Sequence, residues 1–384
     1  MIIKHCFDIR SLILATTLLI GLSFATHATA EWHSLLIDLD SKQVTSLGSL
    51  GGGNTIARDI NDAGQVVGSS KTASGETHAF LTGPDGMGMS RVGIDSWWNS
   101  SSEAFGINNA GQVIGSYPTT SDPEGFFTWA HSFVTGPNGV GTTELGFQAS
   151  GINDRGTVVG WNYPAEPFSS ISPGVVSQSD LGGNRYTRLL GPFLLGPSDT
   201  SAMFSDINNS EQVVGSASGH AVLGFSDSPP GFWTDIGALT GNYYSNAVGI
   251  NEAGQVIGSF SGNGVSHAFI TNASATELTD LGTLGGLSSS PYGINDTGQV
   301  VGWANTENGA QHAFITGPNG EGMTDLNSLV HLSEGVVLTA AMGINNKGQV
   351  IVLAIPEPET YALMLAGLGL IGFVAQRQKS GSRI

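Results

Sequence analysis

Cysteine is almost absent from this chain. The single one, Cys6, stands ahead of an N-terminal apolar run. Removal of that run leaves a chain without thiols, which excludes disulfides, cysteine-based zinc sites and a cysteine nucleophile. Basic residues are scarce as well. The chain holds 13 Lys and Arg against 31 Asp and Glu, a net charge of −18. Nucleic acid is therefore excluded as a partner, because phosphate contact needs a basic face. Between the two termini no stretch of useful length has a helical period. Gly-x-Ser-x-Gly, His-Glu-x-x-His and the phosphate-binding P-loop are all missing, so no enzyme class announces itself and no cofactor is implied.

Glycine is what the chain has in quantity, 56 residues without the three-residue period of collagen. The glycines punctuate an internal repeat. Ile-Asn-x-x-Gly-x-Val-Val/Ile-Gly starts at Ile60, Ile107, Ile152, Ile207, Ile250, Ile294 and Ile344. The fourth copy has Glu211 in place of the turn glycine, and the seventh ends in Val352. A second pattern, His-Ala/Ser-Phe-Leu/Ile/Val-Thr, falls at His78, His131, His267 and His312. Looser versions fall at His33 and His220, and a degenerate one around Phe193. A third, Thr-Asp-Leu-Gly or similar, lies near Leu47, Leu145, Ile236, Leu281 and Leu326.

Each unit reads as four short strands. Asn-x-x-Gly and Gly-Pro-Asn/Asp-Gly supply tight turns, and the β-branched Gln-Val-Val-Gly supplies a strand. Seven units of this size predict an all-β, seven-bladed β-propeller over residues 31–353. The domain opens with a third and a fourth strand, His33–Asp38 and Gln43–Leu47. It closes with a first and a second, Ala341–Ile344 and Gln349–Leu353. The two chain ends are thus expected to build one blade together and remove the open edge. An open β-solenoid is the rival architecture, and the phase of strands against blades is not fixed by the sequence.

Both termini read as addresses. Lys4 and Arg10, the apolar stretch from Ser11 to Ala25, and Ala28-Thr29-Ala30 make a signal peptide over residues 1–30, cut by signal peptidase. At the other end, residues 354–384 hold Ile355-Pro356-Glu357-Pro358-Glu359-Thr360, an uncharged run at 361–375, and the basic residues Arg377 and Lys379. The run is expected to form a short transmembrane helix with its basic stop on the cytoplasmic side.

This C-terminal order resembles the PEP-CTERM sorting signal of Gram-negative bacteria. The resemblance implies processing by an exosortase at or near Pro356, Glu357 and Pro358, transient anchoring in the inner membrane, and release to the cell surface or medium. It also implies an association with exopolysaccharide and biofilm. The internal repeats resemble the HAF-type extracellular repeats, which bring no known chemistry.

Several residues are candidates for a site. The repeated histidines would ring a cation if they all faced the channel. A shared hydrogen bond in each blade accounts for them better, so no metal site is expected. Asp62, Asp154 and Asp296 read as turn residues, not calcium ligands. The stretch Trp161–Arg188 reads as an insertion in the longest unit. With Trp97 and Trp98 it offers Trp161, Tyr163, Arg185 and Tyr186 as ligand-binding residues for a glycan. The expectation is an exported, non-enzymatic envelope or matrix protein. A glycan-binding propeller is the alternative, and a secreted glycoside hydrolase or lyase the second alternative.

Overall fold

The computed structural model describes residues 33–93, 101–119, 129–162, 174–179, 185–189, 202–229, 232–241, 244–262, 264–332 and 335–356. The signal peptide, Glu357, Pro358, the 361–375 run, Arg377 and Lys379 lie outside them. Among the described residues there is no α-helix, and no helix is long and apolar enough to cross a membrane.

Seven four-stranded antiparallel sheets follow one another along the chain. We number the blades by their inner strands: Gly51–Ile60, Glu103–Ile107, Gln148–Ile152, Ala202–Ile207, Tyr244–Ile250, Gly285–Ile294 and Val336–Ile344. Blade 7 is the composite one. Its strands run in the order Val44–Ser46, His33–Asp38, Gln349–Pro356, Val336–Ile344. The two termini of the domain therefore close the ring, and the open solenoid is ruled out. The last strand passes the expected end at Leu353 and runs to Pro356, with Val336 opposite Pro356 and Val337 opposite Ile355.

Packing explains the repeated letters. The Phe of His-Ala-Phe lies directly across from the Gly of Val-Val-Gly: Phe80 opposite Gly68, Phe133 opposite Gly115, Phe269 opposite Gly258 and Phe314 opposite Gly302. All four rings are fully buried. A side chain at Gly258 would collide with the Phe269 ring and with Asn246 O. The seventh unit obeys the same rule by exchange. Val352 replaces the glycine, and the residue opposite it is Leu35, not Phe. Volume has moved from one strand to its partner, the kind of core change that is tolerated best.

Blade 3 departs from the expected layout. Its third and fourth strands are Gly174–Ser179 and Arg185–Leu189. The stretch 161–188 is therefore not all insertion, because much of it builds the blade. The Val175-Val176 pair gives this strand its β-branched core, both residues being buried. Phe193 lies outside the described residues.

Candidate functional site

The inner strands line a central channel, and each carries a β-bulge at the same place. Register slips between Ala57 and Asp59, Ala104 and Gly106, Ala149 and Gly151, Phe204 and Asp206, Ala247 and Gly249, Pro291 and Gly293, and Ala341 and Gly343. The residue skipped in each blade is Arg58, Phe105, Ser150, Ser205, Val248, Tyr292 or Met342. These seven line one mouth of the channel, around a cavity of about 190 Å³. A bulge bends its strand and re-aims one side chain, which is how seven otherwise similar strands present six kinds of side chain here. We call this end the bulge mouth. The other end, about 370 Å³, is lined by the Ile-Asn turns and is the turn mouth.

The turn mouth is stitched in two tiers. In the first, the buried Asn of six of the seven Ile-Asn pairs reaches the next blade, while Asn295 Nδ2 donates to Gln299 in its own turn. Asn61 Nδ2 donates to Asn108 O at 3.0 Å, Asn108 to Asn153 O at 2.9 Å and Asn153 to Asn208 O at 3.1 Å. Asn208 and Asn251 continue the chain as far as Asn295 O, and Asn345 joins blade 7 to blade 1 through Asn61 O at 3.0 Å. Each Asn Oδ1 meanwhile accepts from the backbone four residues on, as Asn251 does from Gln255 N at 2.9 Å. One side chain thus shapes its own turn and ties two blades together.

The second tier is a complete circle. The backbone N–H of Asp62, Asn109, Asp154, Asn209, Glu252, Asp296 and Asn346 each donates to the side chain of the next member, at 2.7–3.1 Å. The amides also bridge carboxylates sideways. Asn346 Nδ2 donates to Asp296 Oδ2 at 2.8 Å and to Asp62 Oδ2 at 3.1 Å. The only neighbouring acids in the circle are Glu252 and Asp296. Burial first, then the charges of Asp296 and Asp154, push Glu252 above the usual carboxylate range.

Blades 3 and 4 swap parts. In the other blades a Gln four residues after the Asn accepts from its Nδ2, as Gln65 does at 2.9 Å. Blade 3 has Thr157 at that position. Glu211 of blade 4 fills the gap, accepting from Asn153 Nδ2 at 3.1 Å and Thr157 Oγ1 at 3.0 Å. Glu211 takes φ 61°, the left-handed conformation of the turn glycine it replaces. The irregular letter in the fourth repeat therefore compensates for the one in the third.

Two carboxylates sit at the waist between the mouths. Five units have Gly before the Ile, but blades 1 and 4 have Asp59 and Asp206. Each clips two inner strands. Asp59 accepts from Ile60 N at 2.8 Å and from Ile107 N of blade 2 at 2.9 Å. Asp206 accepts from Ile207 N at 2.8 Å and from Ile250 N of blade 5 at 3.1 Å. Desolvation outweighs these bonds and pushes Asp59 up to about 6 and Asp206 up to about 7, the charge of Asp59 adding to the latter.

The histidines do not face the channel. They bind across to the outer strand of their own blade: His220 Nδ1 lies 3.0 Å from Asp235, His267 2.8 Å from Asp280 and His312 2.6 Å from Asp325. His131 pairs with Glu144 in the same way, while buried His78 meets Arg91 at 3.1 Å. Among the described residues no cluster of His, Cys, Asp or Glu could hold a metal.

Of the candidate ligand residues, Trp97, Trp98 and Tyr163 lie outside the described residues. Trp161 ends the second strand of blade 3, opposite Gly174, whereas Arg185 and Tyr186 begin the outer strand, opposite Ser179 and Gln178. Along Gly174–Ser179 these partners lie four and five residues apart, about 14–17 Å at 3.4 Å per residue. Trp233 packs inside, stacked on Phe204 with centroids 5.0 Å apart. The channel residues were missed by motif reading. Their signal was the variable letter two places before each repeated Ile.

Comparison with known proteins gives an address and a fold. The PEP-CTERM protein-sorting motif matches residues 354–378. Residues 234–357 match a family described as protein of unknown function (DUF3466). No curated protein matches. Among solved structures the chain is similar to an acylaminoacyl peptidase in complex with Z-Gly-Gly-Phe-chloromethyl ketone, with TM-score 0.51 and 10% identity, covering 77% of this chain and 48% of that one. It is similar to puromycin hydrolase, with TM-score 0.51 and 13% identity, covering 76% and 49%. A TolB from Agrobacterium tumefaciens aligns at TM-score 0.40 and 8% identity, over 85% of this chain and 99% of that one. The chain thus spans about half the length of the two hydrolases, and the likeness is one of fold. The sorting motif marks the chain as an exported protein sorted by an exosortase to the cell surface or medium.

Proposed function

We propose that this chain is a non-enzymatic envelope or extracellular-matrix protein, with HAF-type repeats as its body and exopolysaccharide or biofilm as its setting. The observation that carries the reading is the direct joining in sequence of a sorting motif to a self-closed ring whose turn mouth is stitched by a complete circle of hydrogen bonds. The signal peptide would export it, and the 361–375 run would hold it briefly in the inner membrane. Deleting the host's exosortase should leave full-length precursor in the membrane fraction and remove the protein from the medium. Unchanged release would sink the reading.

The bulge mouth favours a second reading, a glycan-binding propeller. Val248, Tyr292 and Met342 of blades 5–7 form an apolar arc, followed by Arg58 of blade 1 and Phe105 of blade 2, with Tyr292 43% exposed. Aromatic faces at a cavity rim stack well on sugar rings. A glycan array on the exported protein tests it, with Tyr292→Ala as the control that loses the signal. Binding to no glycan would remove this reading. Release of free sugar from native exopolysaccharide would instead favour the hydrolase or lyase.

A further inference from the structure

Residues 354–356 belong to two things at once. They are the start of the sorting motif and the end of the strand that closes the ring. This stretch is set apart from the rest of the closure. A register break between Leu338 and Ala340 isolates three pairs: Val336 with Pro356, Val337 with Ile355, and Leu338 with Ala354. Ala354 is also paired with His33 on its other side. Among the described residues, Ile355 and Pro356 are held on one side only. Burial alternates along this strand, and Ile355 falls on the less covered face, with Leu353. Val352 and Ala354 are buried, whereas Leu353 and Ile355 are half-buried; what sets Ile355 apart from Leu353 is the missing partner on its second side. The opposing strand is fixed, because Asn327 grips Leu338 through both of its backbone groups at 2.8 and 3.0 Å.

We propose that processing of the sorting motif is limited by local opening of the last strand, with Ile355 and Pro356 peeling from Val336 and Val337 before the enzyme engages. This rests on the exosortase reading above. A peptide-processing enzyme grips an extended segment along its backbone, and here one edge of that segment is occupied by the inner strand. Strand ends with few buried neighbours open at low cost, so the gate operates without unfolding the ring. The closure is thereby an autoinhibitory contact that meters release of the folded domain.

The test uses the full-length chain in a host with its exosortase, following loss of precursor after a pulse of synthesis. Val337→Cys with Ile355→Cys places thiols on directly opposed residues, whose Cα separation of about 4.5–5.5 Å suits a disulfide. The exported domain has no other cysteine to compete, and the compartment is oxidising. The cross-linked precursor should stay unprocessed until reductant is added. A Gly/Ser spacer of about six residues between Ile355 and Pro356 moves the motif ~20 Å clear. It should speed processing about tenfold, equivalent to removing an opening step of ~1.4 kcal/mol. Processing of the cross-linked form at the wild-type rate, or a spacer without effect, overturns the proposal. The same chains in an exosortase-deficient host separate the two claims. Processing that persists there defeats the exosortase reading itself, not the gate.

Discussion

The two mouths of the channel are built from the same seven strands and differ in almost every other respect. At the turn mouth the letters repeat, the side chains are polar, and nearly every group bonds to the next blade. At the bulge mouth the letters vary among the blades, and among the described residues the ion pair found there is Arg58 with Glu103 at 3.9 Å. One end holds the ring shut. The other end is free to vary, which is where a repeat fold places recognition.

Substitutions should divide along that line. The sharpest break is Asn345→Ala, which removes the closing bond to Asn61 O and the bonds within its own turn to Gln349 and Lys347. A loss of about 3 kcal/mol is expected in urea unfolding, because several buried partners are orphaned together. Glu211→Gly should cost less, about 1–2 kcal/mol, since it relieves a left-handed residue while stranding Asn153 and Thr157. Adding Thr157→Gln should recover most of that loss. No recovery in the double variant would refute the exchange between blades 3 and 4.

The waist gives a pH test. Asp206 has a folded value near 7 against 3.8 for the free group, so the native state takes up a proton as pH falls through 7 while the unfolded chain does not until about 4. Its contribution is therefore most favourable at low pH and is lost as pH rises through 7. Asp206→Asn should flatten the fall in stability between pH 4 and 7 by on the order of 1 kcal/mol, after discounting for water in the channel. Equal slopes in both proteins would mean the carboxylate is well solvated. The smallest effect belongs to the bulge mouth: Tyr292→Ala should change thermal stability by less than about 0.5 kcal/mol, as expected for an exposed position outside the network. A larger loss would erase the contrast between the mouths.

Much of the fold was legible because its period is local. Asn-x-x-Gly, Val-Val-Gly and His-Ala-Phe each announce a turn or a strand within a few residues, and seven of them predict the ring and its composite blade. The pairing of the blades was not legible. Asn61 and Asn108 are 47 residues apart, and nothing in either copy says that one donates to the other. Asp62, Asp154 and Asp296 were rightly read as turn residues, but their second role across the blade boundary needs the circle to be closed. Asp59 and Asp206 did carry a signal, Asp-Ile-Asn among copies of Gly-Ile-Asn, and it is visible only when the repeats are compared with each other. The longest unit misled because its extra length hid two ordinary strands, 174–179 and 185–189, whose letters fit no repeat.

The circle of alternating acids and amides at the turn mouth also obeys a rule of parity. Two kinds of member can alternate without fault around an even cycle, but an odd cycle must place two alike side by side. With seven blades one seam is unavoidable, and this chain spends it between Glu252 and Asp296. The longer side chain stands at that seam, its carboxylate accepting from Asn209 on the opposite flank. A ring with pseudo-sevenfold symmetry thereby acquires one distinguishable direction, fixed by arithmetic before any ligand or partner is considered.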